Sequence, residues 1–123
     1  MYEVSIEIVA DQTGYHAALA YEDRRGKLHE RQITKSREES KRSNYIQGMI
    51  DALEILQNPA KVVIYSLSDD LNAPIRNGWL EDWAQNGWKN KKGKTIRNAN
   101  QWQQAYEAMK SHQVSAEYTD GRR

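Results

Sequence analysis

A chain of 123 residues has room for one modest core, and a formal net charge of +1 gives the whole molecule no field that would select a partner. The absence of cysteine excludes disulfide staples and zinc–thiolate sites and suits a reducing compartment. The opening "MYEVSIEIVADQTG" lacks the basic start and apolar run of a signal peptide, and no apolar run is long enough to cross a bilayer, so a cytoplasmic, membrane-free protein is expected.

Residues 3–10 alternate, with Val4, Ile6 and Ile8 on one side and Glu3, Ser5 and Glu7 on the other. Period two with β-branched residues predicts a half-buried strand. "GYHAALAYED" (14–23) reads as a second strand, "RRGK" as a hairpin turn and "LHERQIT" (28–34) as a third, together an antiparallel meander. The pattern then becomes helical: within 36–58, Ile46, Met49, Ile50, Leu53 and Leu56 recur on one stripe, and Asn58–Pro59 ends the run. "KVVIYSL" (61–67) is nearly continuous apolar sequence, which predicts a central strand buried on both faces. Residues 68–88 read as a short helix and then a longer one. Residues 98–112 read as another helix, with Trp102, Ala105, Tyr106 and Met109 on one face, and "QVSAEYT" (113–119) as a closing strand. The order β-β-β-α-β-α-α-β predicts an α/β (α+β mixed) fold, a five-stranded mixed sheet flanked by helices, forming one domain over residues 1–123.

Charge and aromatic residues are unevenly spread. All four tryptophans lie within residues 79–102, and residues 84–98 carry Lys89, Lys91, Lys92, Lys94 and Arg97 with no acid. Lysines on a protruding loop neutralise phosphates without reading bases, and neighbouring aromatics pack on sugars or bases. Trp79 and Trp83 are expected to be partly exposed in a groove, Trp88 and Trp102 to be core. A second basic cluster, Lys35, Arg37, Lys41 and Arg42, is interrupted by Glu38 and Glu39. His16, His29 and His112 are far apart in the chain and read as surface or structural residues.

The element order, with "GWKNKKGKTIRNANQWQ" in this position, resembles ribonuclease H of the bacterial type over nearly the whole chain. Trp79, Trp83, Trp88 and Trp102 fall at that family's tryptophan spacing, and "GYHAALAY", "IDALEIL" and "HQVSAEY" look like its second strand, first helix end and last strand. The resemblance implies a ribonuclease H-like fold and a basic handle that holds the DNA strand of an RNA/DNA hybrid. It also implies Mg²⁺-dependent cleavage of the RNA strand, with a metal pair held by four carboxylates. Asp11 matches the first carboxylate, but "DQTGYH" lacks the family's glycine-rich loop. Counting back from Ala52 puts Tyr45 at the second position, with neutral Gln47 nearby. The third falls on Leu67 or Ser68. Asp69 and Asp70 are weak substitutes, because a one-residue step along an extended chain reverses side-chain direction. The fourth belongs to a helix beyond the last strand. Here the chain reads "TDGRR", with Gly121 on the family's glycine, Arg122 in place of its histidine and Asp120 too early to serve, so the C-terminal helix is expected to be lacking.

The resulting expectation is a catalytically inactive ribonuclease H-like protein that binds a nucleic-acid duplex or RNA/DNA hybrid. Trp79, Trp83, Lys89, Lys91, Lys92, Lys94 and Arg97 form the handle, and Lys41 and Arg42 replace the family's Thr-Asn-Asn phosphate pocket. No cofactor is expected, Mg²⁺ entering only with residual nuclease activity. Beside this stand a protein-interaction module on a retired nuclease scaffold (an assembly subunit, or a phage or mobile-element inhibitor, with a protein partner or homodimer) and a Mg²⁺-dependent hybrid ribonuclease with relocated ligands.

Overall fold

The computed structural model describes residues 2–119. Along the chain run β1 (Tyr2–Ala10), β2 (Gly14–Glu22), β3 (Leu28–Ser36), α1 (Lys41–Ile55), β4 (Ala60–Ser66), α2 (Asp69–Arg76), α3 (Trp79–Gln85), α4 (Ala99–Met109) and β5 (Gln113–Tyr118). The five strands form one sheet in the order β3-β2-β1-β4-β5. The meander β1-β2-β3 is antiparallel, and β4 and β5 join it in parallel through helical crossovers. The mixed five-stranded sheet of the sequence reading is therefore present.

Alternation decides which side is core. Val4, Ile6 and Ile8 of β1, Tyr15, Ala17 and Leu19 of β2, and Val62 and Ile64 of β4 are all buried on one face. Against them α1 brings Ile46, Met49, Ile50 and Leu53. α1 lies over β1 and β2, α2 over β4 and β5, and α4 packs against α1. Two close approaches set the spacing. A Cβ on Gly48 would come 3.2 Å from both Ile8 and Tyr15, so its absence lets α1 sit down on the sheet. A Cβ on Gly14 would lie 2.2 Å from the Lys35 carbonyl oxygen, where β2 starts against β3.

Three expectations are corrected. β4 is buried on one face only, since Lys61 is exposed and Val63 and Tyr65 are half-buried. An apolar run reports hydrophobicity but not what covers it, and the helices of the described residues lie on the other side. α1 is shorter than residues 36–58. Ser40 caps it by accepting a hydrogen bond from the Ser43 amide, and it ends before Asn58–Pro59 because Leu56 is already extended. Between β4 and β5 lie the three helices read from residues 68–88 and 98–112, which the order β-β-β-α-β-α-α-β counts as two, and α3 is not longer than α2. Gly78, at φ 70°, separates α2 from α3.

The core edge carries one partly buried charge. The Tyr15 hydroxyl donates to Asp51, Gln47 Nε2 donates to it at 3.0 Å, and Lys35 Nζ lies 3.2 Å away. Burial works to raise the Asp51 pKa, but the hydrogen bonds from Tyr15, Gln47 and Lys35 outweigh it and hold the carboxyl below its ordinary value. Burial, then the same bond, pushes the Tyr15 hydroxyl pKa up. A carboxyl with a depressed folded-state pKa contributes stability above its unfolded value of about 3.9 and loses it as pH falls through the folded value. Thermal melts from about pH 6 to about pH 2 should therefore show an acid limb that is shallower in Asp51→Asn, which starts from a lower melting temperature. An unchanged limb would remove Asp51 from this account.

Candidate nucleic-acid interface

The basic handle is built from α3 outward. α3 ends in a Schellman turn: the Trp88 amide donates to the Trp83 carbonyl at 2.7 Å and the Gly87 amide to Ala84 at 3.5 Å, with Gly87 at φ 67°. Trp88 is itself left-handed, at φ 63°, and these two consecutive residues turn the chain outward. The outgoing and returning limbs pair through the Lys89–Thr95 bridge, the Ile96 amide on the Trp88 carbonyl at 2.9 Å and the Asn90 amide on Lys94 at 2.8 Å. At the tip, the Gly93 amide donates to the Asn90 carbonyl, and the Asn90 side chain accepts from the Lys92 and Lys94 amides at 2.9 and 3.0 Å. Gly93, at φ 81°, takes the residue position that an L side chain would strain. The handle is thus a closed hairpin with Lys91 and Lys92 at its apex.

Aromatic packing fixes its base. Trp102 is core at 2% exposure, and Trp83 packs on it edge-on at 5.9 Å. Trp79 leans on Trp83 at 6.2 Å and remains 42% exposed, while Trp83 is half-buried. Trp88 is half-buried too, unlike the core position expected for it. Its left-handed backbone lifts it onto Tyr106, at 5.8 Å, and the Tyr106 hydroxyl is fixed by Glu81 Oε2 at 2.6 Å.

The two basic clusters have different fates. Lys89, Lys91, Lys92, Lys94 and Arg97 are all exposed, and among the described residues no ion pair reaches them. The cluster around α1 is largely engaged. Lys35 meets Asp51, and Arg37 Nη1 donates to Ser43 Oγ and Asn44 Oδ1, both at 2.9 Å. Arg42 Nη2 meets Asp70 Oδ1 at 2.9 Å, which leaves Lys41 exposed beside Asp11. Buried Asn44 donates to the carbonyls of Asp11 and Arg37, at 2.7 and 2.9 Å. Gln101 ties α4 to the same point, donating to the Ser43 carbonyl at 3.0 Å and to Gln47 Oε1 at 3.1 Å. Sequence reading missed this knot of Arg37, Ser43, Asn44 and Gln101, because partners 58 residues apart leave no local signal.

Among the described residues the carboxylates do not converge on a metal site. Asp11 follows β1 and is exposed. Its Oδ1 accepts from the Thr13 hydroxyl at 2.6 Å, the Thr13 amide at 2.7 Å and the Gly14 amide at 3.2 Å. The Thr13 bonds, then those of Gly14 and the charge of Lys41, hold its pKa below the usual carboxylate range. Tyr45 is buried in the core, and Ser66, also buried, bonds to Asn72 at 3.0 Å. Ser68 caps α2, leaving Asp69 and Asp70 in its first turn, where carboxylates favour the helix dipole. Asp70 is taken by Arg42, and Asp69 stands 3.9 Å from Arg76. Asp120, Gly121 and Arg122 lie outside the described residues. Each histidine has a structural partner: His16 bonds to Thr34 Oγ1, His29 to Asp23, and His112 Nδ1 accepts the Ala60 amide.

The family model for RNase H matches residues 8–122. This chain belongs to the ribonuclease H family. The ribonuclease H of Moorella thermoacetica is 35% identical over 103 residues, covering 82% of this chain and 64% of that protein. The ribonuclease H of Symbiobacterium thermophilum is 42% identical over 69 residues, 56% of this chain and 47% of that protein. The chain spans about half the length of several ribonuclease H relatives that it matches. Among solved structures, LC9-RNase H1, a type 1 RNase H with the type 2 active-site motif, superposes with a TM-score of 0.76 at 22% identity. That match covers 98% of this chain and 63% of the other. The foamy viral protease-reverse transcriptase in complex with RNA/DNA hybrid gives 0.65 at 16% identity, covering 94% of this chain and 17% of that one. Fold and family are those the sequence reading expected.

Among the described residues the donor set does not fit the ribonuclease H metal pair. Among the described residues, no three His, Cys, Asp or Glu side chains come together as a metal site. Asp11 has its near oxygen occupied by three donors, and the guanidinium of Arg42 already neutralises Asp70. Mg²⁺ sheds water reluctantly and needs several anionic ligands. Adding about 10 mM Mg²⁺ should move the melting temperature by less than about 1 °C, since a cation with no preference for the folded state does not stabilise it. Arg42→Met should cost no more than about 1 kcal/mol, as for a partly exposed ion pair. A saturable Mg²⁺ stabilisation that Asp11→Asn abolishes would contradict the misfit.

Proposed function

We propose that this ribonuclease H-family chain, a single domain over its length, clasps a nucleic-acid duplex or RNA/DNA hybrid through its handle without cleaving it. The observation that carries the reading is the contrast between the two basic clusters. Lys35, Arg42 and Arg37 near α1 are engaged by Asp51, Asp70 and the Ser43–Asn44 knot, leaving Lys41 exposed, whereas all five cations on the handle stay exposed and, among the described residues, outside any ion pair. A closed hairpin on a tryptophan base lowers the ordering cost of placing those charges along a phosphate backbone. Exposed Trp79 beside half-buried Trp83 offers a stacking or sugar-packing surface at its foot. A protein of the same fold solved in complex with an RNA/DNA hybrid supports the choice of partner. The cysteine-free composition suits a cytoplasmic setting.

Absence of cleavage is inferred from the ligands. Among the described residues Asp11 joins no group of three metal-ligating side chains, Tyr45 is buried in the core, and Asp69 and Asp70 serve α2 and Arg42. Lys41 remains available to a phosphate near Asp11, while Arg42 contributes only if a phosphate displaces Asp70.

Fluorescence anisotropy with a labelled RNA/DNA hybrid, read across a salt series, tests the proposal. Affinity should fall steeply with salt. The Lys91→Ala, Lys92→Ala, Lys94→Ala protein should lose roughly 2 to 3 from the log–log slope, at roughly 0.9 per phosphate contact. Trp79→Ala should weaken binding by about 1–3 kcal/mol with little change in slope. Binding indifferent to the triple substitution would sink the handle. Hybrid cleavage in Mg²⁺ or Mn²⁺ that Asp11→Asn eliminates would replace the clasp with a ribonuclease of relocated ligands.

A further inference from the structure

A second aromatic cluster lies away from the handle. Tyr21 of β2 and His29 of β3 stand opposite each other in register, and their rings stack with centroids 4.8 Å apart and planes 11° from parallel. Tyr2 of β1 meets Tyr21 edge-on at 5.6 Å and stays 40% exposed. All three project on the α1 side of the sheet, in line with buried Val4 and Leu19. α1 stops at Ile55, and extended Leu56 leads the chain away toward Ala60, so a groove of about 440 Å³ opens between the helix end and the strands. Its walls are β1, β2, β3, the end of α1 and the connection to β4. Asn44, bonded to the Asp11 carbonyl, stands at the opposite end of α1.

The lining is divided as in a small-molecule site, with an apolar floor and a few polar groups. Val4, Leu19, Ile55 and Leu56 make the floor beside the aromatic row. The polar groups at the rim are unengaged. Among the described residues, no side-chain hydrogen bond or ion pair reaches Gln57, Asn58 or Arg31. Arg31 pairs in register with Leu19, which puts its side chain on the groove side, whereas Glu30 pairs with Ala20 and points the other way. The Asp23 carboxylate nearby is taken up by His29 Nε2 at 2.9 Å and by the Arg25 and Lys27 amides. Arg31 is thus the unpaired charge that lines the groove. We propose that this groove binds a nucleotide, its base laid on the floor against Tyr2 and Tyr21, its base edge on the Gln57 and Asn58 amides and its phosphate on Arg31. Aromatic faces stack on any base, and a carboxamide offers the donor and acceptor that a base edge matches. A guanidinium holds phosphate through two parallel bonds. A purely apolar ligand would leave Arg31 and the amides without partners, and a bare phosphate would leave the aromatic row uncovered. A free mononucleotide and the terminal nucleotide of a strand share this chemistry. The site is separate from the handle and does not depend on what the handle binds.

The test is a titration of ¹⁵N-labelled protein with adenosine monophosphate (AMP), adenosine and ribose phosphate. AMP should give saturable amide shifts confined to Tyr21, His29, Arg31, Leu56 and Asn58. Each half-ligand should bind roughly tenfold more weakly, having lost either the charged hydrogen bonds or the stacking. Arg31→Gln should remove the advantage of AMP over adenosine, and Tyr2→Ala should reduce its advantage over ribose phosphate. Both positions are exposed, and the comparison of ligands on the unsubstituted protein stands whether or not either variant folds. A ribotrinucleotide that shifts the same amides at lower concentration than AMP would assign the groove to a strand end, and weaker shifts would assign it to a free nucleotide. AMP should leave anisotropy with the hybrid unchanged, so this site and the handle fail separately. Absent shifts, equal binding of AMP and ribose phosphate, or shifts centred on residues 89–95 would overturn the proposal.

Discussion

The packing of α1 on β1 and β2 is the contact from which the rest follows. Ile46, Met49, Ile50 and Leu53 fill the space above Ile6, Ile8, Ala17 and Leu19, and Gly48 lets the helix come down until Ile8 and Tyr15 touch its backbone. Burial of this kind is the dominant favourable term in a domain so small, and here nearly all of it lies on one side of the sheet. Once α1 is seated, its N-terminus stands beside the end of β1, where Asn44 fastens to the Asp11 carbonyl. Gln101 can then bring α4 to the same place. The handle leaves from the far end of that arrangement, its Trp83 resting on Trp102 of α4. Position is handed from the core to α1, from α1 to α4, and from α4 to the lysines.

That chain of support explains why two clusters of similar composition behave differently. Lys35, Arg37 and Arg42 sit where elements meet, so each falls within reach of a carboxylate, hydroxyl or side-chain amide oxygen belonging to another element. The Arg42 guanidinium of α1 bonds Asp70 in the first turn of α2. The pair is a strap between two helices. On the handle no element stands opposite, and the hairpin closes through backbone and Asn90 bonds that use no charge. Its cations therefore face solvent because of topology, not because acids are scarce in the chain.

What was legible in the sequence was what repeats locally. Period two in β1 and the stripe of Ile46, Met49, Ile50 and Leu53 in α1 located the sheet and its main helix, and the Trp-Lys stretch located the handle. Boundaries set by single residues were less visible. Ser40 as a cap and Gly78 as a break between α2 and α3 act through one hydrogen bond or one dihedral, which periodicity averages away. The second face of β4 was misread because Val63 and Tyr65 look like core until the placement of the helices is known. Trp88 was misplaced for a related reason: its backbone is left-handed, and large apolar residues carry no signal for that conformation. The Arg42–Asp70 pair joins residues 28 positions apart and follows only from the fold, so it was out of reach of any reading of spacing.

A net charge of +1 conceals a molecule with two unlike poles. The handle gathers five cations with no acid among them, and the side of the sheet away from α1 carries Glu3, Glu7, Glu22, Glu30 and Glu117 beside Lys61, with Arg24 at its rim. Either group alone would give the molecule a field of one sign, but together they nearly cancel at long range and differ strongly at contact. On the proposed reading a polyanion would meet repulsion on one side and attraction on the other, so its approach would be oriented before it reached Trp79. The same asymmetry limits self-association, because like faces repel and only handle-to-sheet contacts between copies are attractive. Those are head-to-tail contacts that nucleic acid on the handle would block.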